Sequence, residues 1–181
     1  MKTENFMNIK VPTILTIAAL SLSLATVVDA GGRVKARGTT TNQSGGVSTA
    51  SASAGKNSQG AFARARGSST DGQGNASGGG GTAVKGQSGM AGRAGSYTAS
   101  NSGDVKYHGS AAASGANGTA ATSGGFSRSQ GGGVKGARST SATANNGSSY
   151  QGTTAYDSGS GISHTQTCYN AQGVQVTCPI K

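Results

Sequence analysis

Proline is missing from residue 13 to residue 178, leucine from everything after Leu24, and glutamate from everything after Glu4. Tryptophan is missing altogether. Without leucine, the chain after residue 30 keeps seven valines, two isoleucines and two phenylalanines, 11 large apolar residues in 151. That excludes the packed interior of a conventional globular enzyme. So low an apolar content by itself points to disorder, but the loss of proline and glutamate, which disordered linkers usually carry, opposes it. Proline is also the residue that a hydrogen-bonded strand ladder does not accept. Its absence over this span therefore admits a continuous stack of strands and turns. Helix formers other than alanine are scarce and no 3.6-residue apolar period appears, which excludes amphipathic helices.

What is present begins with an export signal. Lys2 and Lys10 flank a charged start, residues 11–28 are apolar and uncharged, and Val28, Asp29 and Ala30 supply a small-residue cleavage site. Residues 1–30 are therefore predicted to be a signal peptide removed after Ala30. No second long apolar run follows, so no integral membrane segment is expected after removal, and the mature chain is expected outside the cell or on its surface. All 33 glycines lie beyond that point. So do thirteen Lys or Arg residues against three carboxylates, Asp71, Asp104 and Asp157, and the net charge is +10. Such a surface attracts anionic polymers: extracellular DNA, acidic polysaccharide or lipopolysaccharide.

Period-two alternation marks strands. Ala61, Ala63 and Ala65 fall on one side of an extended backbone, and Phe62, Arg64 and Arg66 on the other. Residues 47–54 and 139–144 alternate small apolar with hydroxyl side chains. Turn signals stand between such runs at 42–46, Asp71-Gly72, the four glycines 78–81, 101–103, Asn117-Gly118, 131–133 and Asn146-Gly147. Asn-Gly and Asp-Gly favour two-residue hairpin turns, whose central positions need positive φ.

Five units join a glycine, a bulky residue and bases. Their anchors are Val34, Phe62, Val84, Val105 and Val134, spaced irregularly by 28, 22, 21 and 29 residues. This reads as a degenerate repeat of short strands. The expected fold class is all-β: a glycine-rich β-solenoid or serpentine cross-β stack over 31–160, with two sheets closely approached across Ala, Ser and Gly. The alternative is a largely disordered chain. The bases predicted to contact an anionic polymer are Arg33, Lys35, Arg37, Arg64, Arg66, Lys85, Lys106, Lys135 and Arg138. Gly86, Gly89, Gly92 and Gly95 show a local period of three, too short and proline-free for collagen.

The end of the chain, 161–181, differs in kind. β-Branched and aromatic residues alternate around a turn near Asn170–Gly173, which predicts a hairpin capping the repetitive body. Cys168 and Cys178 are the only cysteines, and in an exported chain they are expected to form a disulfide.

Enzymatic inventory is thin. His108 and His164 and the three aspartates stand in glycine-rich or tail contexts, and no metal-ligand spacing or phosphate-binding loop motif occurs. No catalytic residue, cofactor or metal is expected.

The export signal, the Gly/Ser/Ala/Asn/Gln-rich body and the pairs Gln59-Gly60, Gln73 with Gly74-Asn75, and Gln151-Gly152 resemble secreted bacterial functional-amyloid or biofilm-fibre subunits of the curli type. The resemblance spans most of 31–160 and implies a self-assembling extracellular fibre or matrix protein. Two other classes fit the composition: a disordered cationic peptide acting on membranes or anionic surfaces, and an ice- or polysaccharide-binding solenoid.

Overall fold

The computed structural model describes residues 32–179. The expected export signal lies outside them. The strands, in chain order, are β1 Gly32–Thr41, β2 Val47–Asn57, β3 Gly60–Thr70, β4 Ala76–Gly86, β5 Gly89–Ala99, β6 Val105–Gly115, β7 Gly118–Arg128, β8 Val134–Ala144, β9 Ser149–Asp157, β10 Gly161–Tyr169 and β11 Gln175–Val176. Each pairs antiparallel with the next, so one open sheet carries all eleven in sequence order. The all-β expectation holds. Successive strands fold back and forth in a serpentine within one layer and do not coil into a solenoid. The expected approach of two sheets through small residues does not occur among the described residues, because a one-layer meander has no second sheet to offer.

There is almost no interior. Among the described residues the one buried hydrophobic is Cys168, 7% exposed, and Val84, Met90 and Phe126 are about half exposed (47%, 55% and 45%). Ladder hydrogen bonds and cross-strand contacts must carry the fold, as the scarcity of large apolar residues requires.

The strands repeat with a period the irregular anchors conceal. β2, β4, β6 and β8 start at 47, 76, 105 and 134, and β3, β5 and β7 at 60, 89 and 118, each 29 residues apart. Glycine recurs with the same period at 45, 74, 103, 132 and 161. One repeat is a loop of five residues, a strand, a two-residue turn and a returning strand. The expected degenerate repeat is a regular one: Val84 matches Val105 and Val134 in bulk but occupies a different repeat position.

Loop chemistry explains the glycine spacing. In the loop 42–46, the Asn42 N–H donates to the Gly46 carbonyl at 2.8 Å and the Gly45 N–H to the Asn42 carbonyl at 3.2 Å. Gly45 has φ of 79°, as a turn closing on a glycine bulge requires. The same pair of bonds closes 100–104, 144–148 and 170–174. The first side chain locks the loop: Asn42 Oδ1 accepts from Ser44 and Gly46, Asp71 Oδ1 from Gln73 and Asn75, and Asn170 Oδ1 from Gln172 and Val174. The Asn75 side-chain donor, followed by the Gln73 N–H, holds the Asp71 carboxyl below the usual carboxylate range. No non-glycine residue among those described has positive φ, so Asn-Gly and Asp-Gly do not form two-residue turns with both central residues at positive φ.

Two further sequence expectations are corrected. Gly78–Gly81 is not a turn but the middle of β4, and Gly86 to Gly95 belongs to the β4–β5 hairpin. Glycine is accepted in β4 because neighbours fill its space. A Cβ on Gly78 would stand 2.6 Å from the Tyr97 ring, and one on Gly80 2.6 Å from the Ala65 carbonyl. Tyr97 covers the glycine directly across from it, so the ring supplies what a β-branched neighbour would.

At the far edge, β10 and β11 form the predicted hairpin, closed by the Cys168–Cys178 disulfide. A loop of this length restrains the unfolded chain by about 2–3 kcal/mol.

Candidate functional site

Strand alternation and pairing register divide the side chains between two faces. On one, each strand presents Ala, Ser, Thr or Gly at its middle. One row runs Ala36, Ala52, Ala65, Gly81, Ala94 and Ser110, and ends in Thr153 and Thr165. A shallow hollow of about 1050 Å³ lies over it, lined mainly by methyl and hydroxyl groups.

The opposite face holds every arginine of the described residues. Three adjacent rows across the strands build it. The first carries Lys35, Arg64 and Arg93. The second carries Arg37, Arg66 and Arg138, with Gly80, Gly95, Gly109 and Gly124 between the last two. The third carries Tyr97, Tyr107, Phe126 and Tyr156. Successive rows lie about 7 Å apart, two residues along a strand. Arg33 and Arg128 extend the charge to both ends of the strands. No strand carboxylate shares this face; Asp157 is on the other, where it pairs with Lys135 Nζ at 3.0 Å.

The glycines of the second row form the floor of a groove of about 840 Å³, with Arg64 and Arg93 along one side, the rings along the other, and Arg66 and Arg138 at its two ends. Tyr107 lies across this floor. Its hydroxyl is 3.0 Å from where a Cβ on Gly95 would stand and 2.6 Å from one on Gly109. The Tyr107 and Phe126 rings stack at 5.7 Å between centroids, 26° from parallel, and remain 44% and 45% exposed. Two guanidinium groups are fixed through Nε: Arg66 donates to Ser51 Oγ at 3.1 Å and Arg138 to Thr122 Oγ1 at 2.8 Å. Arg33 sits over Phe62 at 5.6 Å.

Of the nine bases expected to act together, Arg33, Lys35, Arg37, Arg64, Arg66 and Arg138 share this face. Lys85, Lys106 and Lys135 do not. Each directly follows an anchor valine (84, 105, 134) that points to the arginine face, so strand alternation turns the lysine to the other side. Val34 departs in the opposite sense: it stands on the small-residue face and its flanking bases do not. Phe62 and Val84 are cross-strand partners, whereas Val105 and Val134 both flank Arg128. Composition concealed Arg93, Arg128 and the aromatic row, but the 29-residue period reveals part of it, since Arg64 recurs as Arg93 and Tyr97 as Phe126.

Asp104 and His108 form no catalytic pair. The Asp104 carboxylate accepts from the Gln130 N–H at 2.8 Å and from Ser102 Oγ at 3.3 Å, bracing neighbouring loops. Among the described residues no three His, Cys, Asp or Glu side chains converge as metal ligands, and no helix is long and apolar enough to cross a membrane. No protein-family model matches the chain, and comparison with curated proteins and with solved structures gives no significant match.

Proposed function

We propose that this is a secreted structural protein whose copies add edge to edge into an extracellular fibre or biofilm matrix, and that its arginine face retains anionic polymers. The observation that carries the proposal is the state of the two sheet edges. Among the described residues nothing pairs with the outer side of β1, and β11 covers β10 only at Cys168 and Tyr169. Ten full-length strands form an even number, so β1 and β10 run in opposite directions. A copy displaced along the sheet, without inversion, then presents its β1 antiparallel to the β10 of its neighbour. Both faces continue in register with themselves.

Charge disfavours the pairing of two β1 edges and leaves a β1–β10 contact free of repulsion. β1 carries Arg33, Lys35 and Arg37, so two β1 edges repel, whereas β10 carries no Lys, Arg, Asp or Glu. A β1–β10 contact is heterologous and does not close, so it propagates. A disulfide of the kind that persists in oxidising compartments fits the extracellular setting. The resemblance to curli-type subunits leads to the same reading.

The test is to incubate the purified protein and record microscopy and fibre diffraction. Expected are thioflavin-positive fibres with a meridional reflection near ~4.8 Å and a subunit repeat of about 48 Å, ten strand spacings. A chain that stays monomeric and random-coil at high concentration refutes the proposal.

A further inference from the structure

We propose that the polymer held on the arginine face is single-stranded nucleic acid, gripped by phosphate on the arginine rows and by base on the aromatic row. This rests on the proposed function only for the anionic character of the partner; it does not require assembly.

Three observations lead there. Charge complementarity is one-sided: the face gathers all the described arginines with no strand carboxylate, while four of the five described lysines lie on the other face. Lysine serves as a point charge, but the arginine fork matches phosphate oxygens two at a time. Anchoring Arg66 and Arg138 through Nε engages neither terminal nitrogen in those bonds and leaves each side chain less freedom to lose on binding.

The aromatic row supplies the second half of a nucleotide. The hydroxyl end of Tyr107 lies over Gly95 and Gly109, and the residue stays 44% exposed. Phe126 stacks beside it. Rings on an open sheet, one row from the glycine floor that Arg66 and Arg138 bound at its two ends, form the stacking platform that single strands use and that tolerates any base. A duplex keeps its bases stacked on one another and would leave these rings unused. A polyuronate would engage the cations but has no base to stack.

The probe is a fluorescent 20-nucleotide thymidine oligomer, read by anisotropy with dilute, unassembled protein. A duplex of equal length and polygalacturonate serve as competitors. The single strand is expected to bind about ten-fold or more tightly than either. Its log affinity should fall with log salt at a slope of about −3, from four phosphate contacts at about −0.7 each. Tyr107→Ala combined with Phe126→Ala should weaken binding about ten-fold or more and leave that slope unchanged. If that variant loses its β circular dichroism, Tyr107→Leu with Phe126→Leu keeps the glycine floor covered and is expected to show the same loss. Neutralising Lys85, Lys106 and Lys135 to Gln should cost less than about three-fold. Equal or tighter binding of duplex or polyuronate overturns the proposal, and so does full affinity in the ring-deleted proteins. Fibre growth is measured separately without nucleic acid, so failure of binding and failure of assembly are told apart.

Discussion

Gly118→Val is expected to abolish the β6–β7 hairpin and, with it, cooperative folding of the sheet. Gly118 opens β7 with φ of 136°, a conformation that side chains with a Cβ rarely adopt. The space around it is also closed. A Cβ there would collide with the Thr143 carbonyl and stand 2.8 Å from the Ala144 Cα, both backbone atoms of the adjoining strand. Relief would require shifting the β7–β8 ladder, which has no packed interior to hold it elsewhere. Backbone strain of about 1–3 kcal/mol and overpacking of about 1–3 kcal/mol combine at this one position. A domain is ordinarily stable by only about 5–15 kcal/mol, and one without a core has less to lose. Gly89, one repeat earlier with φ of 149° and the Ser114 carbonyl against it, should respond in the same way. Thr119→Val, beside Gly118 but exposed on the small-residue face, should shift stability by no more than about 0.5 kcal/mol. Far-ultraviolet circular dichroism through a urea titration distinguishes them. A Gly118→Val protein with the parent's midpoint would mean that the hairpin does not close as described.

Proline on the outer edge of β1 should stop fibre growth while sparing the subunit. Neighbouring residues of an edge strand send their N–H groups alternately inward to the partner and outward to solvent. Of Ala36→Pro and Arg37→Pro, one therefore removes an N–H bonded to β2 and the other an N–H turned outward. The outward substitution should keep the parent's circular dichroism and slow fibre elongation more than about ten-fold, because an arriving β10 meets a missing donor and a bulky ring. The inward one should fray β1 itself. Seeded thioflavin kinetics on both proteins, alongside Thr165→Pro and Gln166→Pro on β10, decide the matter. Parent-rate elongation by both β1 variants would rule out edge addition.

The strands were legible where side chains alternate in kind. Ala61, Phe62, Ala63 and Arg64 alternate in the structure as their sequence requires, and the turn at 170–173 between the cysteines was readable from Asn170 and Gly173. The four glycines of β4 were not, because local preference places such a run in a turn. What holds them extended is Tyr97 and the neighbouring backbone, brought there by the β4–β5 hairpin. The shared face of the bases was hidden for a related reason. Whether Lys85 and Arg64 point the same way depends on cross-strand register, and register follows from loop length rather than from the bases. The glycines at 45, 74, 103 and 132 record that loop length, whereas the bulky anchors do not keep its period.

Residue-resolved hydrogen exchange on the protein before and after assembly addresses edge pairing most directly. In the free subunit, amides of β3 to β8 should be protected and the outward-facing amides of β1 and of residues 161–167 should exchange rapidly. In the fibre those edge amides should become as slow as the central ones, with loops such as 71–75 still fast. Edges that continue to exchange freely in the fibre would contradict assembly through backbone pairing of β1 with β10.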